Sequence, residues 1–256
     1  MGRLRGHATG WQWAFLCAFV FDDLSRRSSA ALHTLALFDL EKGEYGTSTE
    51  YDRPGLLRRR RAQRSSPSRG RLDLSFQGSR GESFWRAHEA GDGRIAPLGS
   101  LLRAVGADDD GRFMQLDLEL DARKPALPLD DYAQPGAPST GQPGARGYFQ
   151  SGVRFSGELG WGDEREAVDG ESGWIVRQWR PRFLRARGGF RRSRYQHELR
   201  NIQLEDGTAI SVSMHFDRQR ANRLMPPALA TAAGPNGEVT STTDFHLERL
   251  SFVRDP

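Results

Sequence analysis

The segment 173–179, with the sequence GWIVRQW, combines polar and aromatic side chains at a spacing that suits ligand binding. Arg177 lies in a strand-like run between Trp174 and Trp179. A guanidinium buried among aromatic rings needs a carboxylate or a ligand oxygen as its partner. We therefore predict Arg177 and Gln178 as polar groups of a ligand cavity. The two tryptophans fit either a hydrophobic core or a surface that stabilises a cation.

Other reactive side chains form weaker patterns. His215 and Asp217 alternate along one strand-like run and so share a face. His246 would complete a set of three ligands, but the three lack the spacing of a metal motif, and no metal site is predicted. The sequence contains neither a nucleophile elbow nor a phosphate-binding glycine loop. These residues alone therefore predict no metal site and no phosphate-binding cofactor loop.

Cysteine content and charge restrict the compartment and the partners. Cys17 is the single cysteine, which excludes an internal disulfide and a site built from several thiolates. A net charge of +4 over 256 residues is a weak basis for nucleic-acid binding, so no nucleic-acid partner is predicted. No apolar run reaches the roughly 18 residues of a membrane span. We expect a cytoplasmic protein without a membrane span, and we predict no oligomeric state.

The elements that must position these residues have the pattern of β-strands. Residues 113–120, FMQLDLEL, alternate between polar and apolar faces, which is the period of a half-buried strand. Further strand-like runs lie at 11–22, 32–39, 45–51, 71–76, 84–88, 148–159, 173–179, 195–204, 209–217 and 243–253. The pair Asp206–Gly207 between two of these runs predicts a hairpin, because glycine accepts a positive φ. Residues 98–105 fit either a short helix or another strand.

Three segments do not fit strands. The Arg/Ser-rich range 54–71 is predicted as an exposed insert, because its hydrophobicity is low and its charge high. The arginine-dense range 180–194 is interpreted as a solvated loop, with a gate for an acidic ligand or a nucleic-acid contact as the alternatives. The Pro/Gly-rich range 125–146 is predicted to connect an N-terminal lobe, 1–124, to a C-terminal lobe, 147–256. A chain of this length can bury a substantial core.

Segments of the second half resemble the AttH and carotenoid 1,2-hydratase superfamily. Residues 148–159, YFQSGVRFSGEL, are similar to its strand motif YYS-x-T-R-L-x-V-x-G-x-L. Residues 173–179 are similar to G-x-A-W-x-D-R-Q-W, and residues 201–208, NIQLEDGT, resemble F-x-I-Q-L-D-D-G-T. Fainter similarities link residues 12–15, QWAF, to the E-W-W-Y opening and residues 113–125 to a strand ending in K-P. The order and spacing of the three main segments agree with those of the superfamily.

This resemblance implies an all-β fold of two lipocalin-like antiparallel β-barrel lobes with few helices. Members of the superfamily include hydratases that add water to an isolated double bond of a carotenoid or isoprenoid, and relatives that catalyse cyclisations. They hold an apolar ligand between lobes without a metal or organic cofactor. The implied partner is therefore a hydrophobic small molecule. With the polar and aromatic residues of 173–179, the resemblance implies one set of ligand-binding residues: Trp13, Tyr148, Trp174, Arg177, Gln178 and Trp179.

Hydration of an unactivated alkene requires a strong acid that protonates carbon, a base for the water and a dry pocket. A buried carboxylic acid meets the first need, because burial raises its pKa. The Asp of the family motif corresponds to Val176 here, and the Glu of the opening corresponds to Gln12. His197 and Glu198, in the strand that crosses the site in relatives, are the predicted catalytic replacements. The alternative is that His197 is an ordinary strand residue.

Two hypotheses about function follow. The first is a cofactor-free enzyme, a hydratase-like lyase, cyclase or isomerase, that acts on an apolar isoprenoid- or polyketide-like substrate. The second is a non-catalytic, lipocalin-like carrier of a hydrophobic ligand, which can be an anion such as a fatty acid. The resemblance supports the enzyme, and the loss of both family carboxylates supports the carrier.

Overall fold

The chain is built from β-strands throughout the part that the structure describes. The computed structural model describes residues 1–21, 31–52, 72–88, 99–124, 127–128, 147–178, 195–217 and 223–246. Two compact units divide the chain, Met1–Pro181 and Arg182–Pro256. Over the described residues every regular element is a strand, and no helix there is long and apolar enough to cross a membrane. The predicted all-β, lipocalin-like class is confirmed.

The described residues of the first unit form one antiparallel sheet of eleven strands. The strands are β1 (Gly2–Gly6), β2 (Gln12–Phe21), β3 (Ala31–Asp39), β4 (Glu44–Asp52), β5 (Asp73–Gly78), β6 (Gly81–Ala87), β7 (Gly99–Ala107), β8 (Phe113–Ala122), β9 (Leu127–Pro128), β10 (Gly147–Trp161) and β11 (Glu164–Gln178). Their order in the sheet is β4-β3-β2-β1-β11-β10-β8-β7-β6-β5, and β9 pairs with β10.

Most of these strands lie where the alternating pattern predicted them. The ambiguous range 98–105 forms the strand β7 and not a helix. β1 was not predicted, because its alternating Gly, Leu and Arg residues provide a single large apolar side chain, Leu4. β11 begins at Glu164, well before the predicted start at Gly173, because its first half is mostly polar on both faces.

The boundary between the units differs from the predicted one. β10 and β11 were expected in a C-terminal lobe beyond 125–146, but β10 pairs with β8 from Val153↔Ala122 to Trp161↔Met114. The inner faces of both strands bury apolar side chains in one core, which includes Leu118. A Pro/Gly-rich composition indicates irregular chain, but it carries no information on which flanking strands pair.

The sheet curls so that its two edges approach each other. The Ser79 backbone N–H and hydroxyl donate to the Glu50 carboxylate at 2.6 and 3.1 Å, which ties β4 to the turn between β5 and β6. The Ala107 N–H donates to the Ser48 hydroxyl at 3.3 Å, which ties β4 to the end of β7. The result is a nearly closed, barrel-like sheet with an inner and an outer face.

The two ends of this barrel differ. At one end, which we call the closed end, short turns join neighbouring strands at 7–11, 40–43, 79–80, 108–112 and 162–163. At the other end, which we call the open end, β2, β4, β6, β8 and β11 finish and β3, β5, β7 and β10 begin. The connections 22–30, 53–71, 89–98 and 125–146, including the two predicted segments 54–71 and 125–146, therefore attach at the open end. They lie outside the described residues except for β9.

The second unit contains a four-stranded antiparallel sheet in the order β12 (Tyr195–Gln203), β13 (Ala209–Asp217), β14 (Arg223–Ala233) and β15 (Val239–Thr242). The predicted hairpin is confirmed, because Gly207 has a φ of 86° and the Thr208 N–H donates to Asp206 Oδ1 at 2.7 Å. β14 was not predicted because it contains Pro226 and Pro227, and its pairing with β13 shifts register beside them.

The last predicted strand, 243–253, is not confirmed where the structure describes it. β15 ends at Thr242, and residues 243–246 are not in a strand. The remainder of that range lies outside the described residues, as does the arginine-dense range 180–194.

Candidate functional site

Some apolar side chains of the inner face are only partly buried towards the open end of the barrel. Along β2 alternate residues face inwards, and Trp13 and Phe15 near the closed end are fully buried. Further along the same strand, Cys17 and Phe19 are only partly buried, and Trp85 on β6 is likewise partly buried against the core. We call the inner-facing residues of this open half the inner wall: Cys17, Phe19, His33, Trp85, Gln150 and Ile175.

Cys17 and His33 form a polar pair on this inner wall. Cys17 Sγ lies 3.7 Å from His33 Nε2. The imidazole ring packs between Phe19 and Phe76, with ring centroids 4.9 and 5.5 Å away. Burial lowers the pKa of His33 to about 4 and raises the pKa of Cys17 to about 12. Both groups are therefore uncharged near neutral pH, and the thiol is not activated as a nucleophile.

Glu50 on β4 lies opposite His33 on β3, but its carboxylate holds the edges of the sheet together. The two residues are in register between β3 and β4. The Glu50 carboxylate accepts both hydrogen bonds from Ser79, so it closes the barrel. Its charge raises the pKa of His33, but the effect of burial, which lowers it, is larger. The three side chains therefore do not operate as a thiolate–imidazolium triad.

Gln150 places a buried amide on the inner wall. It is 1% exposed, and its Nε2 donates to the Lys124 backbone carbonyl at 3.2 Å. Its Oε1 is buried and has no hydrogen-bond donor among the residues that the structure describes. Gln150 pairs with Ile175, which belongs to the inner core, so both occupy the inner face.

The buried carboxylates of the closed end have structural roles. Asp39 Oδ1 accepts the backbone N–H groups of Glu41 and Lys42, both at 2.9 Å. Asp108 accepts the indole N–H of Trp161 at 2.9 Å and the guanidinium of Arg112 at 2.8 Å. Burial raises the pKa of Asp108, but these hydrogen bonds outweigh burial and hold its pKa below the ordinary value. An ionised Asp108 cannot supply a proton to a substrate.

The predicted ligand residue Trp13 lies deep in the closed half. It is 1% exposed, its Nε1 donates to Glu166 Oε1 at 3.2 Å, and its ring makes an edge contact with Trp161 at 6.1 Å between centroids. Trp13 thus forms part of the floor beneath the inner wall. Contact with a ligand remains a prediction for this residue.

The predicted residues of β10 and β11 lie at the open end but on two faces. Tyr148 is in register with Arg177, and Gln178 pairs with Gly147. Arg177 shares the inner face with Ile175, whereas Trp174 lies one position away and so on the outer face. The structure therefore does not bring Trp174 and Arg177 together on one surface.

Two positions of the family motif lie beside these residues. Val176, which stands where the family has its acid, shares the outer face with Trp174. The Trp174 indole N–H is buried and has no acceptor within the described part of the chain. Trp179 lies outside the described residues.

The predicted catalytic residues belong to the second unit. His197 is in register with His215 and Glu198 with Met214 on the β12–β13 hairpin. His197 and Glu198 are consecutive residues of β12. Their catalytic role remains a prediction. Within the described ranges, no group of three or more His, Cys, Asp or Glu residues could hold a metal ion.

Sequence reasoning did not identify Cys17, His33 or Gln150 as site residues. A signal for the first two was present, because Cys17 and Phe19 continue the inner face that Trp13 and Phe15 define. Which residues of β3 oppose them depends on the strand register, which the sequence pattern alone does not determine. Which face Gln150 occupies is harder to predict from the sequence, because a bulge at Gly152, with a φ of 64°, interrupts the alternation of β10.

Comparison with known proteins identifies the fold. The structure is similar to a solved structure from Nitrosomonas europaea that is described as an AttH protein, with a TM-score of 0.60 and 17% sequence identity. The similarity covers 94% of this chain and 65% of that protein, so this chain spans about two thirds of its length. The chain therefore has an AttH-like fold, as the sequence resemblance implied. No protein-family model and no curated protein matches the sequence.

Proposed function

We propose that the unit Met1–Pro181 binds an apolar small molecule on its inner wall and that the protein acts as a carrier of this molecule. The supporting observation is the difference along the inner face between Trp13 and Phe15, which are fully buried, and Phe19 and Trp85, which are partly buried. Apolar side chains that remain accessible on a concave surface suit a hydrophobic ligand.

The charges of the inner wall favour the carrier over the enzyme. Protonation of an alkene needs an acid that is protonated at neutral pH and strong enough to transfer its proton. His33 is neutral at that pH because burial lowers its pKa to about 4. Outside the inner wall, at the closed end, Asp108 is ionised and already accepts hydrogen bonds from Trp161 and Arg112. Neither His33 nor Asp108 therefore suits acid catalysis, and the neutral inner wall suits the binding of an apolar molecule.

The enzyme hypothesis has a specific requirement. A hydratase, cyclase or isomerase of this fold would have to replace the family acid, whose position holds Val176. His197 and Glu198 are the predicted replacements. An AttH-like fold supports this hypothesis only by analogy, because one fold can serve several functions.

Ligand binding is tested by native mass spectrometry of the full chain purified from its producing cell, followed by extraction into organic solvent. We expect an apolar molecule to accompany the protein. Titration with the apolar dye Nile red then measures the site directly. Phe19→Asp places a charge on the inner wall and should abolish dye binding. The matched control Val20→Asp changes the next residue of β2, which is 49% exposed, and should retain it.

The same preparation separates the two hypotheses. The protein is incubated with the recovered molecule and with isoprenoid alkenes, and the mixture is analysed by chromatography and mass spectrometry. A carrier returns every compound unchanged. A product heavier by one water, or an isomer with a new retention time, would establish the enzyme instead. If neither copurifying ligand nor Phe19-dependent dye binding is found, the proposed function is wrong.

A further inference from the structure

We propose that the ligand of the inner wall carries a neutral hydrogen-bond donor, most simply a hydroxyl group, and that Gln150 is the residue that accepts it. This inference rests on the proposed function and specifies its ligand class as an apolar alcohol. Neither the sequence motifs nor the similarity of fold assigns a role to Gln150.

The position of Gln150 places its side chain on the inner face, in the open half of the barrel. It pairs with Ile175 across β10 and β11, and Ile175 packs in the inner core with Val153 and Phe155. At 1% exposure Gln150 is nearly as inaccessible as the apolar residues around it. An amide in such surroundings is costly unless each of its polar atoms has a partner.

The hydrogen bond that Gln150 makes determines which of its two polar side-chain atoms has no partner among the described residues. Its Nε2 donates to the Lys124 backbone carbonyl, and a carbonyl can only accept. The amide is therefore oriented, and the remaining atom, Oε1, is an acceptor without a donor among the described residues. A buried acceptor of this kind selects a ligand that brings an O–H or N–H group.

The surroundings disfavour an anionic head group. A carboxylate would set one acceptor oxygen against another at Gln150. The Cys17–His33 pair on the same wall offers no positive charge, since burial keeps both groups neutral. The cations at this end, Lys124 and Arg177, already take part in other interactions. A hydroxyl satisfies Oε1 without bringing a charge into the barrel.

The test compares ligands that share one apolar chain. Farnesol, farnesyl methyl ether and farnesoic acid compete with Nile red for the full-length protein at neutral pH. We expect farnesol to bind about tenfold more tightly than its ether, the effect of one buried hydrogen bond. Farnesoic acid should bind more weakly than farnesol.

A variant assigns the preference to Gln150. Gln150→Met keeps the approximate volume and removes both polar atoms, and it should destabilise the fold because the Lys124 carbonyl loses this donor. It should bind the alcohol and the ether equally. Gln77→Met changes an exposed glutamine of β5 and should retain the tenfold preference.

Each outcome has a distinct meaning. All three compounds could bind without a preference of the wild-type protein for the alcohol over the ether, or with a preference for the acid. In either case only buried water donates to Gln150 Oε1, and the inference is wrong. If the preference persists in Gln150→Met, another residue accepts the hydroxyl, and the assignment to Gln150 is wrong. If none of the compounds displaces the dye, the proposed function fails together with the inference.

Discussion

Individual residues of the inner wall show how an apolar surface accommodates polar atoms without charge. Cys17 and His33 contact each other at 3.7 Å, and Phe19 and Phe76 flank the imidazole. In water such a pair could exchange a proton, but low polarity penalises the ion pair that would form. Two consequences of this desolvation are measurable, one for each residue.

The first consequence concerns the reactivity of Cys17. The thiolate is the reactive species, and burial raises the pKa of this thiol from 9.0 to about 12. At about pH 8 the folded protein should therefore react with Ellman's reagent about a thousandfold more slowly than the chain unfolded in urea. Cys17 is the single cysteine, so the absorbance change reports it alone. Equal rates in both states would show that the thiol is neither buried nor desolvated.

The second consequence concerns the pH dependence of stability through His33. Its pKa is lowered from 6.5 to about 4 in the folded state, so the unfolded chain binds the proton more readily. The folded state should therefore lose stability as the pH falls from 6.5 towards 4, by about 3 kcal/mol from this group. Above pH 6.5 the group is neutral in both states and has no effect.

Urea unfolding of the wild type and of His33→Phe measures this contribution. Carboxylates titrate in both proteins, so the difference between the two isolates residue 33. Between about pH 7.5 and about pH 4, the wild type should lose about 3 kcal/mol more than the variant. Parallel pH profiles would mean that His33 is not buried in its neutral form.

Among the strands, Gly173 has a role that its sequence motif does not reveal. It opens the GWIVRQW segment and lies beside the ring of Phe155 on β10. A Cβ at Gly173 would lie 1.9 Å from Phe155 Cζ, and a Cβ at Gly2 would lie 2.3 Å from the same ring. The aromatic ring thus fills the space that two glycines on neighbouring strands leave, which allows β1, β11 and β10 to pack tightly.

Gly173→Ala should therefore destabilise the protein by about 1–3 kcal/mol through overpacking. The double variant Gly173→Ala/Phe155→Leu should recover part of this loss, because the smaller side chain yields the space. Gly160→Ala is the matched control in β10, since the nearest atom to its added Cβ would be 3.6 Å away. Denaturant unfolding measures all three. A loss at Gly160 as large as that at Gly173 would exclude the steric explanation.

The strands also show how far the sequence determines this structure. Strand-like runs located β2, β3 and β4, alternation located β8 and β10, and the Asp206–Gly207 pair located the hairpin, because these signals are local. The partnership of β8 with β10 across 125–146 depends on strand pairing, which no local pattern encodes. The site follows the same rule, because the contact between Cys17 and His33 and the position of Gln150 arise only from strand register.

At the scale of the whole molecule, the cores that the described residues form differ greatly in size between the two units. The core of Met1–Pro181 extends from Leu4 through Leu116 to Ile175 and includes paired aromatic rings such as Phe15 and Phe155. The described core of the other unit is centred on Val212 and Met214, with partly buried neighbours around them. Because buried apolar area provides most of the stabilisation, the larger unit should be the more stable.

This difference predicts that Arg182–Pro256 opens before Met1–Pro181. Hydrogen exchange followed by mass spectrometry at increasing urea compares peptides from β13 and from β8. Amides of β13 should exchange at lower urea and with a smaller dependence on denaturant, because less surface is exposed when a small unit opens. Met214→Ala should accelerate exchange in β13 and leave β8 unchanged. If both peptides instead follow one transition with the same slope, and Met214→Ala accelerates both, the chain unfolds as a single cooperative body and the stability of the ligand-binding unit depends on the second sheet.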